Sequence, residues 1–72
     1  MQKKKDQDQL DKGVVIEALP NTMFRVEYES GEVGIAYLSG KMRIHRIKVL
    51  IGDTVAVKRD PYGGKGRIER RL

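Results

Sequence analysis

The stretch MFRVEYESGEVGIAYL, residues 23–38, carries the strongest structural signal in the sequence. Its first half alternates: Phe24, Val26 and Tyr28 fall on one side, and arginine and glutamate fall on the other. A period of two is typical of a β-strand with one buried face. The Ser-Gly pair in the middle fits a short hairpin connection. The stretch therefore predicts two antiparallel strands, with Phe24 and Tyr28 in the core.

The second strand of this hairpin resumes the alternation. Val33, Ile35 and Tyr37 fall on one side, while the other side carries the small residues Gly34 and Ala36. Small residues on alternate positions are compatible with a pleated strand, so the hairpin prediction extends to the end of the stretch.

A third strand is predicted upstream, in GVVIEAL, residues 13–19. Its residues are β-branched and apolar, with Val14, Ile16 and Ala18 on alternate positions. The strand ends at Pro20-Asn21, a dipeptide that is typical of turns. Three consecutive strands joined by short turns indicate a meander.

Downstream of the meander the period of two is lost in KMRIHRI, residues 41–47. One or two helical turns fit this segment, and Ser39 is a candidate N-cap. Two further strands are predicted in TVAVKR, residues 54–59, and GRIERRL, residues 66–72, separated by the turn cluster DPYGG. Val55, Val57 and Ile68 are their expected inward residues.

Five short strands leave no room for crossover helices, and we predict an all-β fold. The expected architecture is a five-stranded antiparallel Greek-key barrel of the OB-fold class, with a short helix between strands 3 and 4, because a closed barrel removes exposed strand edges. An SH3-like barrel is the rival. Residues 1–9 are too polar to bury and are expected to form a flexible tail; residues 10–72 form a single domain.

The composition excludes several classes of site. The chain of 72 residues has no cysteine and one histidine, so it can build neither a disulfide framework nor a Cys/His zinc site. It has no secretory signal and no apolar run long enough to cross a bilayer. We expect a cytoplasmic protein with no cofactor.

The charge is unevenly distributed along the chain. The net charge of +5 divides into −2 for residues 1–40 and +7 for residues 41–72. Such asymmetry indicates nucleic acid or an anionic membrane as the partner. A membrane-binding helix would need a long amphipathic pattern, which the sequence lacks, so nucleic acid is the favoured partner.

Signatures of catalysis are missing. In GGKGR, residues 63–67, the lysine precedes a glycine and a strand, whereas a phosphate-binding Walker motif requires Ser or Thr and a helix. Glu27 and Glu29 lie on the polar side of the hairpin, without the apolar surroundings that would adapt a carboxyl group to acid–base catalysis. His45 has no nucleophile or orienting carboxylate nearby in sequence. We predict a protein that is not an enzyme.

The basic residues form the candidate site. One group surrounds a single connection, and the other belongs to strands that would lie near it: Lys41, Arg43, Arg46 and Lys48, then Lys58, Arg59, Lys65, Arg67, Arg70 and Arg71. His45 is expected to stack on or donate to a polar partner. Arginine offers bidentate contact with phosphate, and lysine offers a point charge. With one Phe, three Tyr and no Trp, the chain has few platforms for free single strands, which favours a folded RNA as the target.

Four runs in the sequence support a specific resemblance. LPNTMFRVE, SGKMR, LIGDTVAV and DPYGGKGRI, in this order and spacing, are similar to bacterial translation initiation factor one. The likeness covers residues 13–70. It implies a single OB-fold domain, monomeric when free, that binds the A (decoding) site of the small ribosomal subunit. It also implies contacts with ribosomal RNA and a neighbouring ribosomal protein, joint action with initiation factors two and three, and a block on premature entry of aminoacyl-tRNA.

The same resemblance implies roles for particular residues. Pro20, Asn21 and Thr22 would enter the minor groove of the decoding-site helix. The surface that receives displaced decoding adenines would be lined by Lys41, Met42, Arg43 and Lys48. Further phosphate contacts would come from Lys65, Arg67 and Arg70.

Two alternatives remain at this stage. A cold-shock-like RNA-binding chaperone would bind unstructured oligonucleotides strongly, and an SH3-like module would bind protein through its aromatic residues.

Overall fold

The computed structural model describes residues 10–72 and contains five strands and one short helix. The elements are β1 (Asp11–Leu19), β2 (Met23–Tyr28), β3 (Val33–Leu38), α1 (Gly40–Ile44), β4 (Thr54–Lys58) and β5 (Gly66–Arg71). Every strand predicted from alternation is present, with ends that differ by one or two residues. The predicted tail, residues 1–9, lies outside the described residues.

The strands form a closed barrel in the order β1-β2-β3-β5-β4. Four of the neighbouring pairs are antiparallel, and β3 with β5 is parallel. The parallel pair amends the antiparallel prediction. It arises because the chain crosses from β3 through α1 to β4 and returns as β5, which enters between β3 and β4 in the direction of β3. Barrel closure and the helix between β3 and β4 confirm the OB-fold class and decide against the SH3-like rival.

β1 bends so that it can serve two neighbours. Its first residues pair with β4, from Asp11 to Val14, and its whole length from Gly13 onward pairs with β2. The register shifts between Val15 and Glu17, which marks a bulge. A bulge bends a strand and increases its twist, and both are needed to close so small a barrel.

The core fills the barrel. Its fully buried members come from every strand, and Met42 of α1 packs with them: Val15, Val26, Ala36, Val55, Val57 and Ile68. Phe24 and Tyr28 are buried as predicted. The inward positions predicted on β4 and β5 are also confirmed.

Alternation divides the positions of β1 and β3 into two sets without indicating which set is buried. On β1 the buried residues are Gly13 and Val15, while Val14 and Ile16 are 41% and 39% exposed. On β3 the buried residues are Ala36 and Leu38, and Tyr37 faces outward. Both strands are apolar on both parities, so alternation could not select a face.

The space inside the barrel selects the face instead. A Cβ on Gly13 would collide with the Val26 side chain, and one on Gly34 would lie 3.4 Å from the Tyr28 ring. Large side chains of β2 therefore occupy the interior, and the facing positions must be small. This complementarity turns Ile16 and Tyr37 toward the outside.

Candidate nucleic-acid interface

The helix α1 presents its basic residues because one side of it is anchored. The Ser39 hydroxyl caps it by accepting a hydrogen bond from the Met42 amide at 3.3 Å, as predicted for a serine N-cap. Met42 itself is 1% exposed and packs in the core. With Met42 turned inward, Lys41 and Arg43 lie on the exposed side of the helix.

The helix ends in a Schellman motif at an unusual residue. The Ile47 amide donates to the Met42 carbonyl at 3.0 Å, and the Arg46 amide donates to the Arg43 carbonyl at 3.1 Å. This pattern requires a left-handed residue, normally glycine, which here is Arg46 at φ 54°. Packing of Ile47 against the core holds the turn in place. Arg46 is therefore held in one backbone conformation with its side chain exposed.

The segment between α1 and β4 is tied down at several points. Val49 is buried, and the Arg71 guanidinium donates to the Lys48 carbonyl at 2.8 Å. The Asp53 carboxylate accepts from the Leu50 amide at 2.8 Å, and the Gly52 amide donates to the Val15 carbonyl at 2.7 Å. These bonds fix the backbone of Lys48 while its side chain remains exposed.

The turn between β1 and β2 holds two successive residues in the left-handed region. Asn21 has φ 62° and Thr22 has φ 57°, in a loop of three residues between the paired Leu19 and Met23. Asn tolerates this region, but a β-branched residue does so only under strain. The Thr22 hydroxyl donates to the Asn21 carbonyl. The turn is exposed and strained at Thr22.

The sheet register brings these parts to one end of the barrel. Met23, just after the turn, pairs with Tyr37, close to where β3 leads into α1. Lys41 and Arg70 line one groove of about 480 Å³, with Met42 and Ile47 among its apolar lining residues. We call this region the helix-end surface; it consists of Pro20, Asn21, Thr22, Lys41, Arg43, His45, Arg46, Lys48 and Arg70, all exposed.

The cations of the helix-end surface have no internal counter-charges. Among residues 10–72, no carboxylate forms an ion pair with Lys41, Arg43, Arg46, Lys48 or Arg70. Unpaired, exposed cations on one side of a molecule produce a positive potential that attracts polyanions. The arrangement is suited to hold several phosphates at once.

Three of the predicted site residues differ from the others in their placement. Met42 is buried in the core and reaches the surface only in the lining of the groove beside Lys41 and Arg70. Lys65 lies in the β4–β5 loop beside Gly64 and Asp60, in a separate groove. Arg67 stands on β5 opposite Tyr37 and is ion-paired with Glu69. Distance along the sequence could not reveal these placements.

Sequence analysis missed Tyr37 as a surface residue. Its ring is 37% exposed on the outer face of β3, between Met23 of β2 and Arg67 of β5. Tyr62 is 93% exposed in the β4–β5 loop. The small residues Gly34 and Ala36 mark the inner face of β3, and this signal could have placed Tyr37 on the outer face.

The opposite end of the barrel, which we call the turn end, contains the β2–β3 and β4–β5 turns and is organised around Arg59. Its guanidinium lies 2.7 Å from Glu32, 3.8 Å from Asp11 and 4.3 Å from the centroid of the Tyr28 ring. Burial raises the pKa of Tyr28, partly offset by the positive charge of Arg59. The hydrogen bond with Glu32 raises the pKa of Arg59.

Within the part of the chain that the structure describes, no group of His, Asp and Glu is placed to hold a metal ion. No helix of residues 10–72 has the length and apolar character needed to cross a membrane.

A family model described as translation initiation factor 1A / IF-1 matches residues 1–72. Among solved structures, the solution structure of the translation initiation factor of the same kind from the Wolbachia endosymbiont strain TRS of Brugia malayi is 38% identical, with a TM-score of 0.71. That match covers 100% of this chain and 88% of the other.

Two larger proteins contain a similar barrel. The crystal structure of YjeQ from Thermotoga maritima is 34% identical with a TM-score of 0.75, and the match covers 89% of this chain and 23% of that one. YloQ, a circularly permuted GTPase, is 21% identical with a TM-score of 0.76, and the match covers 100% of this chain and 25% of that one. The chain thus spans about a quarter of each, and the likeness to YloQ concerns the fold alone.

Proposed function

The chain belongs to the translation initiation factor 1A / IF-1 family, and from this membership we propose that it binds the A (decoding) site of the small ribosomal subunit. There it blocks premature entry of aminoacyl-tRNA and acts with initiation factors two and three. It touches ribosomal RNA and a neighbouring ribosomal protein, works in the cytoplasm, and acts by binding without catalysis. Translation initiation factors are proteins of this non-catalytic kind.

The observation that carries the proposal is the unpaired charge of the helix-end surface. Arg43, Arg46 and Arg70 can each make planar, bidentate contact with a phosphate, and Lys41 and Lys48 add point charges. Because no carboxylate of residues 10–72 pairs with these five side chains, binding RNA would break no ion pair with a described residue. About six phosphate contacts would make affinity fall by roughly a thousandfold between about 50 and 200 mM salt.

The rigidity of this surface favours a folded RNA over a flexible one. The backbone is held in place next to basic or polar side chains at two points. These are the Schellman turn at Arg46 and the hydrogen bond from Arg71 to the Lys48 carbonyl. A rigid surface loses little entropy on binding, and its advantage is largest when the partner is also preformed. Ribosomal RNA meets that condition, since its phosphates are already arranged.

The resemblance to the family implies particular contacts. The exposed turn of Pro20, Asn21 and Thr22 would enter an RNA minor groove, whose edges carry 2′-hydroxyl groups. The surface that receives the displaced adenines would be lined by Lys41, Met42, Arg43 and Lys48, with Met42 packed into the core beneath the other three.

Chemical probing of the decoding adenines in vacant small subunits, with and without the protein, tests the proposal. We expect protection that saturates with protein and competition with tRNA for the A site. Strong, salt-sensitive binding to unstructured oligonucleotides without protection would instead support the cold-shock-like chaperone. The outward-facing Tyr37 is the one feature that favours this second function, since exposed aromatic rings stack single-stranded bases.

A further inference from the structure

A groove of about 470 Å³ opens at the turn end of the barrel. It lies between the first half of β3 and the segment that leads into β5. These strands pair only from Ala36 and Gly66 onward, so they diverge beside Gly34 and leave a gap in the barrel wall. Gly63 and Gly64 form part of the rim. Because glycines have no side chain, a ligand can approach the backbone closely here.

The Tyr28 side chain reaches into this gap from the core. A Cβ on Gly34 would lie 3.9 Å from the Tyr28 hydroxyl oxygen, and one on Gly66 would lie 3.4 Å from it. Tyr28 is 5% exposed, yet it lines the groove. No residue of the range 10–72 forms a hydrogen bond with the hydroxyl. The hydroxyl therefore lies beside the groove with its hydrogen-bonding capacity unused by the described residues.

The protonation state of Tyr28 determines what the hydroxyl can offer. Burial raises its pKa above the ordinary value near 10, so the group is a neutral phenol at physiological pH. A phenol donates one hydrogen bond. The hydroxyl therefore presents a donor to the groove.

The charged residues of the groove differ in how far their charges are balanced inside the protein. Glu32 and Arg59 pair with each other at 2.7 Å, so their charges offset one another. The two carboxylate oxygens of Asp60 accept from the backbone amides of Tyr62 and Gly64, at 3.0 and 3.1 Å. Lys65 has no ion pair with a carboxylate of residues 10–72. Lys65 is therefore the cation of the groove that is left to bind a ligand.

We propose that this turn-end groove binds a phosphate group through the Tyr28 hydroxyl and the Lys65 ammonium. A phosphate offers only acceptor oxygens and negative charge, which matches what the groove leaves unsatisfied. The phosphate can belong to an RNA backbone or to a free nucleotide. The site is distinct from the helix-end surface, and Lys65 belongs to this groove.

The test is a titration of the full chain with inorganic phosphate, adenosine monophosphate and a short oligouridine, followed by NMR at the amides of Gly34, Gly64 and Gly66. We expect saturable shifts of these amides. Tyr28→Phe keeps the ring and its contact with Arg59, and Lys65→Gln changes an exposed side chain. Each should raise the Kd about tenfold or more by removing a hydrogen bond to a charged group.

Matched controls separate the groove from general electrostatics. Lys12→Gln makes the same charge change as Lys65→Gln at an exposed residue of β1 that does not line the groove, and Tyr62→Phe removes an exposed hydroxyl. Both should leave the Kd for phosphate unchanged. Tighter binding of oligouridine than of the mononucleotide would identify RNA as the source of the phosphate, and equal affinity would identify free nucleotides.

Groove amides that shift with none of the three probes would overturn the proposal. Unchanged affinity in both Tyr28→Phe and Lys65→Gln would overturn it as well. Protection of the decoding adenines is measured separately and depends on the opposite end of the molecule, so the two proposals can fail independently.

Discussion

The two ends of the barrel treat charge in opposite ways. At the turn end, Arg59 contacts Glu32, Asp11 and the ring of Tyr28, so one cation links β4 with β1 and with the β2–β3 hairpin. At the helix end, Lys41 and Arg43 are exposed and have no carboxylate partner among residues 10–72. Charge supports the fold at one end and remains available for a partner at the other.

Backbone strain follows the same division. At the turn end, the left-handed positions are Gly31 and Gly63, which adopt them without strain. In the segment between α1 and β4, Gly52 also adopts the left-handed region without strain, but at the helix end Asn21, Thr22 and Arg46 hold this conformation with side chains attached. Strain of this kind persists only where the surroundings enforce it, and it concentrates at functional sites. The helix end therefore gives up stability to keep particular side chains in fixed positions.

The largest expected effect comes from removing two cations at the helix end. Arg43→Ala combined with Lys48→Ala should weaken binding to vacant small subunits about a hundredfold, because each loses a charge-assisted contact with phosphate. The Tm should hardly change, since exposed substitutions alter stability by about 0.5 kcal/mol or less. Lys12→Ala, an exposed lysine on β1, is the control. If affinity and Tm fall together, these side chains support the fold and the contrast between the ends is wrong.

The second effect concerns the turn end. Arg59→Ala should lower the free energy of unfolding by about 1–2 kcal/mol, since it removes two exposed ion pairs and a cation–π contact. Affinity for the small subunit should not change. Denaturant melts at low and high salt measure the loss, which should shrink with salt because the ion pairs are screened. Arg59→Lys keeps the charge and should restore part of the stability. A loss of subunit binding in either variant would contradict the division of roles between the two ends.

The third effect separates strain from contact at one residue. Arg46→Gly should raise the free energy of unfolding by about 0.5–1 kcal/mol, because glycine fits the left-handed position of a Schellman motif. The same change should weaken subunit binding several-fold. Arg46→Ala is the matched control: it removes the same contact but keeps the Cβ, so it should reduce affinity without raising stability. Equal stability in both variants would show that the position is unstrained.

The smallest effect appears at alkaline pH. Because the folded-state pKa of Tyr28 is raised, the native protein holds this proton more tightly than the unfolded chain does. The contribution of Tyr28 to the free energy of unfolding is complete below the unfolded-state pKa of about 10 and is lost as pH rises through the folded-state pKa. Urea midpoints measured from about pH 8 to 11 should fall less in Tyr28→Phe than in the wild type. Tyr62→Phe should follow the wild type.

Much of the fold could be predicted from local patterns. Alternation locates each strand, and the position of Ser39 just before the segment that loses the alternation predicts it as the helix cap. The inner faces of β1 and β3 could not be predicted, because Val14 and Val15 are equally apolar and only the volume of the barrel chooses between them. The clustering of Lys41, Arg43 and Lys48 was predictable because they are close in sequence. The separation of Lys65 from them was not, because it depends on which strands pair.

Local sequence patterns are sufficient to predict the strands, the turns between them, the charge of the second half and the family. Each of these is encoded within a short window or a running total of residues. Folding in three dimensions is needed to establish that β3 and β5 run parallel, that Met42 is buried, and that Arg59 joins two carboxylates far apart in the chain. These facts come from closing the barrel, which brings distant residues together and forces side chains to share one limited volume.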